Sequence, residues 1–269
     1  MEQLIKTIIL GIIQGVTEWL PISSTGHLEL SNIFLGLEMP ISFDGVLHIG
    51  TLIVILVFFR KEVCKILSAL AHSDFKTEHG RMIPLIVVGS IPTALIGLVF
   101  GWEIESIFQT VLSIGIAFIF FGALLYSSKF GKGKSDSVSY YAAIVMGIAQ
   151  GVAIIPGVSR SGATIAVALL LGIKREKAFR FSFLLSIPSI LGATCYTVYA
   201  EFDKLTSSAL GWPELLAGAI VAMLVGYFAI KLLWKILTKE KFHLFAFYCW
   251  LLGTALVFLT FFQPFGASG

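Results

Sequence analysis

Six apolar runs, each close to the length that crosses a lipid bilayer, dominate this chain; they fall at roughly 45–60, 83–101, 109–128, 178–200, 213–235 and 243–262. A helix rises about 1.5 Å per residue, so about 20 apolar residues cross the ~30 Å hydrocarbon layer. No soluble core could enclose that much apolar surface. Of 269 residues, 57% are hydrophobic and 13% charged, whereas soluble domains carry about a quarter charged residues. The sequence therefore predicts an all-α, polytopic membrane protein forming a single membrane domain over 1–269.

Two other apolar stretches, 2–36 and 139–173, cannot run straight through. The first is interrupted by Pro21-Ile22-Ser23-Ser24-Thr25-Gly26-His27 and the second by Pro156-Gly157-Val158-Ser159-Arg160-Ser161-Gly162. Proline and glycine there end a helix and free backbone N–H groups. Each half is too short to span the bilayer. Each stretch is thus expected to be a re-entrant helix–loop–helix hairpin, its tip lodged against protein or a watery cavity.

Loop charges orient the chain. Of the 19 Lys and Arg residues, all but Lys6, Arg160 and Lys204 lie within 60–81, 129–134, 174–180 and 231–241. These segments share one face only if both hairpins return to the side they entered. The positive-inside rule makes that face cytoplasmic. Both termini are then outside; the first hairpin enters from outside and the second from inside. Lys129, Lys132 and Lys134 are expected near anionic lipid. The net charge of +3 comes with no basic face interleaved with aromatics, so nucleic acid is not an expected partner. Cys64, Cys195 and Cys249 lack metal-ligand spacing and read as buried packing residues. Gln14, Thr17 and Glu18 interrupt the first twenty residues, which do not resemble a cleaved signal peptide.

The two broken stretches repeat one another. Gly11, Ile12, Gln14, Gly15, Val16, Ser23 and Gly26 recur, at a constant spacing, as Gly147, Ile148, Gln150, Gly151, Val152, Ser159 and Gly162. Ser90-Ile91-Pro92 echoes Ser186-Ile187-Pro188 at a different spacing. With opposite orientations, halves of about 1–128 and 139–262 form an inverted-topology repeat, which places its site near the midplane where broken helices meet.

Ionisable residues within the membrane are costly and point to function. Gln14 and Glu18, four apart, share one helix face. Ser23, Ser24, Thr25, Gly26 and His27 follow, offering hydroxyls, room for an anion and a proton carrier. On the second tip, Arg160 stands between Ser159 and Ser161, with Gly157, Gly162 and Thr164 nearby. A guanidinium forks onto phosphate oxygens, and a glycine-rich helix N-terminus favours anions. One tip supplies a carboxylate, hydroxyls and an imidazole; the other an anion clamp. Facing each other, they suit phosphoryl transfer. Asp44 is expected at the outer interface, with His48 one turn along where it can line the site. His72, His79 and His243 read as solvated, and Trp19, Trp102, Trp212 and Trp250 as interfacial anchors or packing.

At these two hairpins the sequence resembles the undecaprenyl-diphosphate phosphatase family, known also from bacitracin resistance. Gln14-x-x-x-Glu18, Pro21-x-Ser23-Ser24-Thr25-Gly26-His27 and Pro156-Gly157-x-Ser159-Arg160-Ser161-Gly162-Ala163-Thr164 carry the resemblance, which extends through Phe43–Gly50 and Phe181–Pro188. It implies hydrolysis of a C55 polyprenyl diphosphate, a lipid substrate, to the monophosphate, regenerating the carrier for cell-envelope glycan synthesis. It also implies a divalent cation, Mg²⁺ or Ca²⁺, and a plasma-membrane location with the active site opening outward. On matching positions, Glu18 is the metal-linked carboxylate, His27 and Ser24 are the candidates for nucleophile or proton transfer, and Arg160 binds diphosphate with Ser159 and Thr164 in support. Gln14 stands where many members carry a second glutamate, and so keeps an oxygen ligand but loses a charge. A homo-oligomer is compatible with all of this. The competing reading is a polyprenyl-phosphate flippase built on the same midplane site, since inverted repeats also make secondary transporters. An acid phosphatase of the lipid-phosphate type would need a histidine just past the Ser-Arg pair, where Ala163, Thr164 and Ile165 stand instead.

Overall fold

A computed structural model describes residues 2–36, 41–108, 110–200 and 211–262; Lys204 and the Trp102 side chain lie outside them. Eleven α-helices order the described chain: α1 (Glu2–Trp19), α2 (Ser24–Leu35), α3 (Ile41–Phe58), α4 (Arg60–Ala71), α5 (Glu78–Ile107), α6 (Val111–Ser127), α7 (Tyr140–Val152), α8 (Arg160–Leu170), α9 (Arg175–Ala200), α10 (Trp212–Thr238) and α11 (Phe245–Phe262).

Five of these, α5, α6, α9, α10 and α11, are long and apolar enough to cross a membrane, and the bent pair α3–α4 makes up to six. The protein is an integral membrane protein. The first predicted span stops at Phe58, and the chain turns by 82° into α4. Arg60, Lys61, Glu62 and Lys65 cannot continue through hydrocarbon, so α4 leaves the direction of α3. Of the cysteines expected to be buried, only Cys249 is; Cys64 and Cys195 are exposed because α4 and α9 turn them outward.

Packing fixes the helix directions. Successive contacts of α1 advance along α10, Gly11 against Gly218, Gly15 against Ala222 and Trp19 beside Gly226, so the two run parallel. Along α5 and α7, Gly89 meets Ala143 and Gly147, and Ile96 meets Gly151, so these also run parallel. Small residues carry both seams, because without a hydrophobic drive between helices close van der Waals packing has to hold them. At Gly147 the approach is closest, where a Cβ would drive into the Gly89 carbonyl oxygen and the Pro92 ring. Gly147→Ala is expected to destabilise the fold by about 2 kcal/mol, as overpacked cores do, read as a lower Tm in detergent.

The predicted cation-rich segments lie on one face. Glu78 pairs with Lys177 at 2.7 Å and Arg180 at 3.2 Å, Asp136 with Lys174 at 2.6 Å, and Glu240 with Arg175 at 3.1 Å. Exposed pairs like these add little stability, but they tie four loops together. Ser135 also bridges Ile173 through the backbone. The chain thus enters α7 and leaves α8 at the same place, and the second hairpin is re-entrant. Because α1 runs with α10, its N-terminus lies at the opposite face. Two hairpins of opposite sense meet inside the bundle, and Trp19, at the end of α1, sits midway along α10.

Candidate active site

Both tips break earlier than the sequence suggests. α1 ends at Trp19 and α2 begins at Ser24; α7 ends at Val152 and α8 begins at Arg160. Ser24 to His27 and Arg160 to Gly162 therefore form the first turns of returning helices, not loops. The cause is capping. Ser23 and Ser159, equivalent in the repeat, are N-caps whose hydroxyls each accept from a backbone N–H three residues on, Gly26 and Gly162, both at 3.3 Å.

The caps also join the tips. The Ser23 hydroxyl accepts from the Gly157 N–H at 3.0 Å. Ser159 and Ser161 donate to the carbonyls of Leu20, at 3.5 Å, and Trp19, at 3.1 Å, and the Cys249 thiol donates to that of Pro21 at 3.8 Å. The Trp19 and Pro21 carbonyls left by the end of α1 are thus satisfied from α8 and α11, while the Leu20 carbonyl also accepts from the Ile22 N–H at 2.8 Å. The fit requires unusual backbone: Ser23 has φ 67° and Gly157 φ 100°. A Cβ at Gly157 would lie 2.9 Å from the Ile114 carbonyl, so glycine is needed there twice over.

This interlock brings Glu18 and Arg160 together. The Arg160 Nη2 bonds Glu18 Oε1. The other carboxylate oxygen accepts from the Ser24 hydroxyl at 2.6 Å and the Gln14 amide at 3.1 Å. His48 on α3 reaches the same oxygen, Nε2 to Oε2 3.6 Å. The Glu18 side chain is only 2% exposed, against 22% for Arg160 and 29% for His48. The open side of the cluster is therefore the guanidinium and imidazole side. A small cavity beside Arg160 is lined by Ser161, Ser182 and Ser186 together with the rings of Trp19 and Phe183.

The remaining candidates are placed differently. Thr164 is fully buried and donates to the Arg160 carbonyl at 2.9 Å, with Ser182 as its second partner. It secures the base of Arg160, as Ser159 and Ser161 secure the opposite tip. Thr25 is exposed on the first turn of α2. His27 faces α11, with Nδ1 2.7 Å from the Ser23 carbonyl and Nε2 2.6 Å from the Tyr248 hydroxyl. A carbonyl only accepts, so Nδ1 carries the proton and Nε2 accepts from Tyr248. Tyr248 stacks on His27, and Phe118 meets its edge. Ser182 and Ser186, one turn apart on α9, lie within the Phe181–Pro188 segment but carry no site signal of their own, and Tyr248 escapes sequence reading because it sits in an apolar, aromatic helix. Trp19 packs internally, 1% exposed, the packing alternative of its two readings, and Asp44 is half-buried in the first turn of α3.

Two oxygen donors suit a hard cation. Gln14 is fully buried and its Oε1 has no partner, one helical turn from the Glu18 carboxylate. Mg²⁺ typically takes one or two carboxylates and completes its shell with water and substrate phosphate. The residues present fit such an ion.

Residues 7–255 match the family described as bacitracin resistance protein BacA. The chain is 43% identical to an undecaprenyl-diphosphatase of Halothermothrix orenii, over 96% of this chain and 98% of that one. It is 39% identical to an undecaprenyl-diphosphatase of Methanosphaera stadtmanae, over 97% and 99%, and 39% identical to one of Corynebacterium glutamicum, over 91% and 86%. With near-complete coverage at these identities, the chain belongs to the bacitracin resistance protein BacA family.

Proposed function

We propose that this protein hydrolyses undecaprenyl diphosphate, or a closely similar polyprenyl diphosphate, to the lipid monophosphate and inorganic phosphate. One observation carries the reading: from opposite tips, a guanidinium and a carboxylate-bonded serine meet inside the membrane domain. Hydroxyl and base within hydrogen-bond reach, with the base itself oriented by other groups, is the arrangement of an activated nucleophile. Here Gln14 and Arg160 orient the base.

Ser24 Oγ attacks the terminal phosphorus while Glu18 Oε2 takes its proton. The bridging P–O bond breaks, and the lipid monophosphate leaves with that oxygen. Water then attacks the phosphoserine phosphorus, the Oγ–P bond breaks, Glu18 returns the proton to Ser24 Oγ, and inorganic phosphate leaves with the water's oxygen and protons. Arg160, with one Nη2 bond on Glu18, keeps its other N–H groups for the terminal phosphate oxygens. His27, one turn beyond Ser24 on α2, serves proton transfer from the tautomer that Ser23 and Tyr248 hold. A divalent cation on Glu18 and Gln14 would supply positive charge to the diphosphate. We place the protein in the plasma membrane with the site opening to the cation-poor, outer side, a reading supported by the gathering of cationic loops on the other face.

The test is phosphate release from undecaprenyl diphosphate by purified protein in detergent, where transport has no meaning. Release that depends on Mg²⁺ or Ca²⁺, with ³²P trapped on Ser24 and lost in Ser24→Ala, is the expected result. Absence of release in detergent would return the reading to a flippase, which nothing in the cluster specifically favours.

A further inference from the structure

We propose that the Tyr248 hydroxyl, coupled to His27, is the base that serves the attacking water in the second half of the reaction. The inference rests on the phosphoserine route proposed above. In the first half Glu18 takes the Ser24 proton. In the second half it gives that proton back to Ser24 Oγ, so it cannot also take one from the water. A second base is needed, and Arg160 is a cation. His48 stands 3.6 Å from the Glu18 oxygen that holds Ser24, on the side of the departing Oγ. In-line attack brings the water to the opposite face. His27 faces α11 instead, three residues past Ser24 on α2. Side chains at that spacing are neighbours, with Cβ atoms about 5–6 Å apart, and a phosphate on Ser24 with a water behind it fits that gap.

The hydrogen bonds of His27 give the proton its route. Nδ1–H donates to the Ser23 carbonyl at 2.7 Å. That leaves Nε2, whose one lone pair accepts from the Tyr248 hydroxyl at 2.6 Å. Tyr248 has no other hydrogen-bond partner among the described residues. With its lone pair covered, His27 is reached only through Tyr248, whose oxygen accepts as well as donates. As the water attacks, one of its O–H bonds breaks and that proton moves to the Tyr248 oxygen, while the Tyr248 proton moves to Nε2. The water oxygen bonds phosphorus, the Oγ–P bond breaks with its electron pair on Oγ, and Oγ takes the Glu18 proton. Nε2 then returns its proton through Tyr248 to a phosphate oxygen. No phenolate forms, because the hydroxyl gives and takes at once. The surroundings hold this alignment. The Tyr248 ring stacks on the imidazole with 15° between planes, and Phe118 meets it edge-on at 89°. Cys249, the next residue, donates to the Pro21 carbonyl, so α11 grips the first tip on both sides of its break.

The two halves can be timed separately by rapid quench, with purified protein in detergent and undecaprenyl diphosphate carrying ³²P in its terminal phosphate. Label on Ser24 should be transient in the wild type. In Tyr248→Phe, which keeps the stacked ring, the first turnover should release lipid monophosphate at the wild-type rate. Breakdown of the phosphoserine should slow about 10²-fold, so that labelled enzyme accumulates. His27→Gln should do the same, and the double variant should be no slower than either single one, as groups acting in one unit behave. A hydrogen bond that only tied α2 to α11 would instead lower Tm and slow both halves together. Equal slowing of both halves, an additive double variant, wild-type breakdown in Tyr248→Phe, or hydrolysis that never labels Ser24 in any variant would overturn the proposal. Absence of label and of phosphate release in every protein removes the phosphatase reading, and this inference with it.

Discussion

Lysine in place of Arg160 is expected to lower kcat/KM for undecaprenyl diphosphate by about 10²–10³-fold, the usual effect of removing one transition-state donor from a dry site. The charge survives in Arg160→Lys, and the position tolerates it, at the first turn of α8 with 22% of the arginine side chain exposed. What is lost is the fork. Arg160 spends one nitrogen on Glu18 and offers the rest to phosphate, whereas an ammonium is a point charge that serves one partner well. Phosphate release and thermal unfolding, both on purified protein, check this together. A variant of unchanged Tm and near-wild-type turnover would remove Arg160 from the transferring phosphate.

Glu18→Gln is expected to have the larger total effect, because that carboxylate has several partners. Its loss removes the base on Ser24 and the counter-ion of Arg160 at once. General-base loss alone costs about 10²–10⁴-fold in rate. Breaking a buried pair also costs about 3–5 kcal/mol of stability, discounted here because Arg160 reaches water on one side. The variant should therefore be inactive and should melt earlier, whereas Arg160→Lys should only be slow. Full activity in Glu18→Gln would exclude the carboxylate from the chemistry.

The hairpins could be read in the sequence because each apolar stretch is broken by proline and glycine, the glycines and Ser-x-x-Gly caps repeat at a constant spacing, and the loop cations report sidedness. The breaks were misplaced by a few residues because a cap at Ser23 or Ser159 starts a helix at the polar cluster instead of ending one there. Function divides the halves where the repeat fails. Glu18 corresponds to Ile154 and Ser24 to Arg160, while Gln150, the counterpart of Gln14, is buried and donates to Thr93 and Ser189, gluing α5, α7 and α9. One glutamine is therefore scaffold and its twin faces the site, a difference visible only when neighbouring helices are in place. His48 lay within reach of sequence reasoning, one turn past a membrane-edge acid. Tyr248 did not, because its only signal is a hydroxyl in an aromatic helix.

The crossed capping of the tips also governs how the chain can be made. Whereas the Leu20 carbonyl also accepts locally from the Ile22 N–H at 2.8 Å, the Trp19 and Pro21 carbonyls find their donors in Ser161 and Cys249, residues synthesised more than a hundred positions later. Until then, burying those groups in hydrocarbon would cost several kcal/mol each. The tip of the first hairpin is therefore expected to settle at its final depth only once the second hairpin and α11 are in place to meet it.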